Sequence, residues 1–221
     1  MGKWDDYPLV ADISHYNVDV DIDLLKEKGV ACIIAKASDG YLIRPGTNYY
    51  KLSHHVDPWF ARNCDKAYQA GLPFGAYHYF QTDHAIVQSP TKDTDRQYLA
   101  FQYALRNKTF HFIMIDLEDA DDSNSNISRK VRQFMNWCAE DYDVPITLYT
   151  SIGFLTSKAP DIINWCGSQS DPVDMHMAQW IWHQKAATWE TLKSFILGMG
   201  KKYTHQDLLI GDFGSGAHSR D

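Results

Sequence analysis

The stretch "HFIMIDLED" (residues 111–119) decides how this chain is read. Phe112 to Ile115 form an unbroken apolar run, and two carboxylates, Asp116 and Glu118, follow two positions apart. Such a run reads as a buried strand. Alternate side chains of a strand share a face, so Asp116 and Glu118 project together, roughly 6–7 Å apart at the usual rise. Two carboxylates that close raise each other's pKa. One can hold a proton near neutral pH and act as a general acid while the other stays ionised, a division of labour that glycoside hydrolysis uses. The plain alternative is that Asp116 caps the next loop and Glu118 is a surface carboxylate.

Outward from this stretch, apolar runs alternate with helical patterns. Strands are predicted at 8–14, 30–38, 73–80, 145–151 and 174–180, with a terminal one at 206–213. Helices are predicted at 21–29, 57–71, 94–107, 125–140 and 188–198. The second helix is read with Asp57 as its cap, Pro58 at its first position, and Phe60, Cys64, Ala67 and Tyr68 as its apolar face. The fourth carries the stripe Ile127, Val131, Phe134, Met135 and Cys138. Strands alternating with helices imply parallel crossovers, and near-continuous apolar strands imply a sheet covered on both faces. That leaves an α/β barrel or a doubly wound sheet. No glycine-rich phosphate loop follows a strand, which weakens the nucleotide-binding version of the latter.

The 221 residues are read as a single domain, 1–221, with no internal repeat, low-complexity tract or linker. A net charge of −7 with no basic cluster argues against nucleic acid and against anionic lipid. No apolar stretch approaches transmembrane length, and "MGKWDDYPLV" lacks the apolar core of a signal peptide. The four cysteines form no CxxC pair and are read as buried thiols. The histidines lack ligand spacing, so no metal or other cofactor is expected.

Polar and aromatic residues gather at the ends of successive strands: Asp12-Ile13-Ser14-His15, Lys36-Ala37-Ser38-Asp39, Tyr77-His78-Tyr79, Asp116-Leu117-Glu118, Tyr149-Thr150-Ser151 and Gln179-Trp180. In α/β barrels that end carries the active site.

This ordered set resembles glycoside hydrolase family 25, the Chalaropsis-type muramidases. The segments that carry the likeness are "VADISHYN", "CIIAKASDG", "DPWFARNCDKAYQAGLPFGAYHYF", "IMIDLE", "PITLYTS" and "MAQW", spanning about residues 9–180. The resemblance implies a single-domain, distorted TIM-like β/α barrel that cleaves the β-1,4 bond between N-acetylmuramic acid and N-acetylglucosamine in peptidoglycan. It implies Glu118 as general acid, Asp116 as partner carboxylate and Asp12 as a further site carboxylate. Lys36, Tyr77, His78, Tyr149, Gln179 and Trp180 would bind substrate. The family's late carboxylate has no clean match. In "HQDLLIGDFGS" Asp207 is favoured and Asp212 is the alternative. Substrate assistance by the N-acetyl group is favoured over a direct carboxylate mechanism. A chain of this type without a signal peptide fits a phage endolysin, made in host cytoplasm and acting at the bacterial wall. A metal-dependent barrel phosphodiesterase and a non-catalytic peptidoglycan-binding module are the rival readings, and the oligomeric state is not legible.

Overall fold

The computed structural model describes residues 9–40, 51–81, 90–118, 124–150, 154, 157–159, 161–162 and 174–176. Six strands form one sheet: β1 (Leu9–Ile13), β2 (Val30–Asp39), β3 (Phe74–Tyr79), β4 (Phe112–Asp116), β5 (Ile146–Tyr149) and β6 (Asp174–His176). Four helices connect the first five: α1 (Ile22–Glu27), α2 (Phe60–Ala70), α3 (Pro90–Leu105) and α4 (Asn124–Asp141). The strands lie in sequence order, β1 to β6, and every neighbouring pair is parallel. A doubly wound sheet reverses its strand order at a switch point; this one does not. The predicted helix at 188–198 and strand at 206–213 lie outside the described residues.

Strand alternation divides the buried residues into two sets. One contains Ala11, Ile33, Ala35, Ala76, Ile113, Ile115 and Leu148 together with helix residues such as Phe60, Phe101 and Phe134. The other consists of strand residues alone: Val10, Cys32, Ile34, Tyr77, Met114 and Tyr149. The helices therefore cover one face. On the opposite face strand side chains pack against one another. Right-handed crossovers between strands added always in the same direction put every helix on one side, which accounts for this segregation.

The helix layer centres on Phe134. Its ring stacks on His78 at 4.9 Å and meets the edges of Phe80 and Tyr98, each at 5.4 Å. The α4 stripe from Ile127 to Cys138 is fully buried, as its spacing predicts. Two readings of α2 need correction. The helix begins at Phe60, with Trp59 as cap, and not at Pro58. Asp57 instead accepts from the Trp59 amide and pairs with His15. Tyr68 is 71% exposed, and Asn63 and Ala70 complete the buried stripe in its place. Gly71 ends the helix in the left-handed conformation (φ 67°), where glycine carries no Cβ penalty. The third helix starts four residues earlier than its apolar spacing indicates, at Pro90. Cys32, Cys64 and Cys138 are buried free thiols, and Cys166 lies outside the described residues.

Candidate active site

The question posed by Asp116 and Glu118 is settled locally by Leu117. Its amide donates to the Tyr149 carbonyl at 2.8 Å, so the chain stays extended past β4. Its side chain is fully buried in the helix-facing core with Ile113 and Ile115. The residues on either side of it must then face the other way, in phase with Met114. Asp116 is buried, 8% exposed, and Glu118 is half-buried.

The same phase brings further groups to this face. Asp12 follows Val10 on β1, Lys36 follows Ile34 on β2, Tyr77 and Tyr79 alternate on β3, and Tyr149 closes β5. Lys36 is a buried ammonium held by Asp39 at 2.7 Å. Three tyrosine rings surround it, Tyr79 at 4.7 Å, Tyr16 at 5.8 Å and Tyr77 at 5.9 Å. Aromatic faces and one carboxylate replace the water that the ammonium has lost.

Burial pushes the Asp116 carboxyl well above the usual carboxylate range, and the charges of Glu118, Asp12 and Asp39 push it the same way, against Lys36. Its Oδ1 has no hydrogen-bond partner among the described residues. The Tyr77 phenol is likewise raised, by burial first and then by Asp12, Asp116, Asp57 and Asp39. The arrangement is thus a buried, protonatable carboxyl beside a more accessible one, among acidic side chains and a Lys36 ammonium compensated by Asp39.

His78 is not brought to this group. It points to the helix side and is fully buried. The Ser38 hydroxyl pairs with its Nδ1 at 2.8 Å, and its Nε2 pairs with Gln97 Oε1 at 3.0 Å. Because Gln97 Oε1 can only accept, Nε2 carries the proton and Nδ1 accepts from Ser38. Burial lowers the His78 pKa to about 3, so the ring is neutral. Gln179, Trp180, Asp207 and Asp212 lie outside the described residues.

Three groups at this end of the sheet are not among the catalytic or substrate-binding residues that the sequence assigns. Tyr79 was available from alternation, being two residues after Tyr77. Asp39 was not, because an extra residue in β2 shifts its phase. Tyr16, 77% exposed, sits in a short 3-10 turn, His15–Asn17, with its ring 4.0 Å from that of His15. His15 is anchored in turn by Asp57, which receives both its amide at 2.8 Å and its Nδ1 at 2.7 Å. Among the described residues no group of three or more His, Cys, Asp or Glu side chains is placed to hold a metal ion.

The family model "Glycosyl hydrolases family 25" matches residues 11–191, a span from β1 to beyond β6. The chain belongs to this family. Family 25 members are also among its structural neighbours. The CTP1L endolysin shares 25% identity at a TM-score of 0.52, over 68% of this chain and 47% of its own. A muramidase from Acremonium alcalophilum shares 15% identity at a TM-score of 0.54, over 76% of each chain. The modular Cpl-1 endolysin, solved with a peptidoglycan analogue, shares 15% at 0.53, over 76% of this chain and 43% of its own. The chain therefore spans about half the length of each of these two endolysins. No curated protein matches the chain. As a family 25 member it is a glycoside hydrolase, and no helix among the described residues is long and apolar enough to cross a membrane.

Proposed function

We propose that this chain is a muramidase that hydrolyses the β-1,4 bond between N-acetylmuramic acid and N-acetylglucosamine in bacterial peptidoglycan. The observation that carries the reading is the pair flanking Leu117: a buried Asp116 and a more accessible Glu118 on the face away from the helices. Sequential parallel strands with helices on one face suit a distorted β/α barrel. The catalytic unit is the single domain 1–221, and it acts at the cell wall as an endolysin-like enzyme.

Glu118 is the general acid. At rest the pair holds one proton, on Asp116, where burial favours the neutral form. The acetamide N–H of a bound muramyl residue donates to Asp116 Oδ1, which favours the carboxylate there and transfers the proton to Glu118. Glu118 then protonates the leaving glycosidic oxygen. The C1–O bond breaks as the acetamide oxygen bonds to C1, giving a cyclic oxazolinium whose N–H stays on Asp116. Water next bonds to C1, yields its proton to Glu118 and reopens the ring. Such substrate assistance is a recognised departure from the two-carboxylate scheme. Asp12, with Asp207 or Asp212 from the late segment, supplies further negative charge near the developing cation. Lys36, Tyr77, Tyr149, Gln179 and Trp180 bind the glycan, whereas His78 supports the strand from behind.

The test is mass spectrometry of muropeptides released from purified peptidoglycan by wild type and by Glu118→Gln. New reducing N-acetylmuramic acid ends from wild type alone are expected. New N-acetylglucosamine ends would change the bond. Binding without cleavage would make the chain a wall-binding module and overturn the reading.

A further inference from the structure

We infer that Asp39 is a positioning residue of the acid–base pair: held 2.7 Å from the Lys36 ammonium, it keeps that cation from fixing Asp116 as a carboxylate. The inference deepens the hydrolase reading above and rests on it for its purpose.

The place of Asp39 is made by an irregularity. Lys36 is paired with Tyr77 and Ser38 with His78, so Ala37 is an extra residue in β2. Ala37 joins the helix-facing core, and Ser38 turns the same way to reach His78. Asp39 thereby returns to the face of Lys36. In a regular strand, residues three apart lie on opposite faces, and the carboxylate would enter the aromatic core. Bulges commonly re-aim a side chain beside an active site. The turned segment is held from outside: the Asp39 amide donates to the His55 carbonyl, and the Asp57 amide to the Ala37 carbonyl.

Register then puts Asp39 and the acid–base pair in line. Asp39 stands opposite Tyr79, and Tyr79 opposite Asp116, in one rung across β2, β3 and β4. Their backbones are two strand spacings apart, about 10 Å. Lys36 rises from the rung below, opposite Tyr77. The described groups facing Asp116 are Asp12 from β1, Lys36 and Asp39 from β2, Tyr77 and Tyr79 from β3, Glu118 from its own chain end and Tyr149 from β5. Lys36 is the cation acting on Asp116 among them, and its effect opposes that of Asp39. An uncompensated ammonium there would favour ionised Asp116 and strip the pair of the proton that Glu118 must deliver.

The test is a carboxyl-carbon NMR titration of Asp116, identified by its loss in Asp116→Asn. It is run on wild type, Asp39→Asn, Lys36→Met and the double variant. Asp39→Asn is expected to lower the Asp116 midpoint by about one pH unit, and Lys36→Met to raise it by about as much. The double variant should return close to wild type, and Asp39→Glu, which keeps the charge, should stay there. Shifts in the same direction for both single variants, or none in either, would overturn the inference. The titration reads without turnover, so it judges Asp39 even if muropeptide analysis shows no cleavage. Where hydrolysis is measured, the alkaline limb of kcat should move in the same opposite directions, which a merely structural loss would not produce.

Discussion

Tyr77 and His78 are neighbours on β3 and live in different solvents. His78 faces the helices, has both ring nitrogens paired, and stacks on Phe134. Tyr77 faces the other way, toward Asp12, Asp39, Asp57 and Asp116. His78 follows the ordinary rule that buried polar groups are satisfied. Asp116, on the opposite side, breaks it, with a buried carboxyl oxygen that lacks a partner among the described residues and acidic groups crowded around it. Sites of function are where such violations concentrate, because a group already satisfied by the protein has nothing left for a substrate.

That contrast can be broken from either side. The largest expected effect is on chemistry: Glu118→Gln should lower the rate of glycan hydrolysis by about a hundredfold to ten-thousandfold, with stability little changed. Reducing-end release against thermal unfolding checks both halves. On the helix side, Phe134→Ala should cost about 3–5 kcal/mol of stability, since the cavity would open among four aromatic partners. Urea unfolding measures it. A smaller effect is expected at Gly40, where a Cβ would meet Gln97 Oε1 at 2.5 Å and Gln81 Cβ at 2.6 Å. Gly40→Ala should cost about 1–3 kcal/mol by overpacking, read as a fall in Tm.

The two faces also predict opposite pH slopes. His78, with a folded pKa lowered to about 3, binds no proton where an unfolded imidazole would. Its contribution to stability is complete above about pH 6.5 and is lost as pH falls toward 3. Asp116 has the opposite sign: its raised folded pKa contributes stability in full below about pH 3.9, and that contribution fades as pH rises through the folded value. In His78→Gln the acid-side slope of unfolding free energy, read from urea unfolding at a series of pH values, should become shallower by up to one proton.

Much of this was legible in the sequence, for physical reasons that also mark its limits. The strand β4 and its two carboxylates could be read because alternation is strict wherever one face is buried. The same alternation separates Tyr77 and Tyr79 from His78, although a sequence motif runs the three together. Asp39 could not be phased, since nothing in "KASDG" reveals that Ala37 is an inserted residue. Tyr68 misled because an aromatic at the edge of a helical stripe can lie on either side of it, and Asn63 took the buried place. Asp57 has the chemistry of a helix cap and uses it one turn early, on Trp59 and His15.

The most direct measurement is Asp116→Asn, assayed for hydrolysis and for unfolding free energy at pH 7 in one preparation. A functional carboxyl held against its own solvation predicts that hydrolysis collapses while stability rises, by about 0.5–2 kcal/mol. Retained hydrolysis, or a loss of stability, would contradict the account of the two faces.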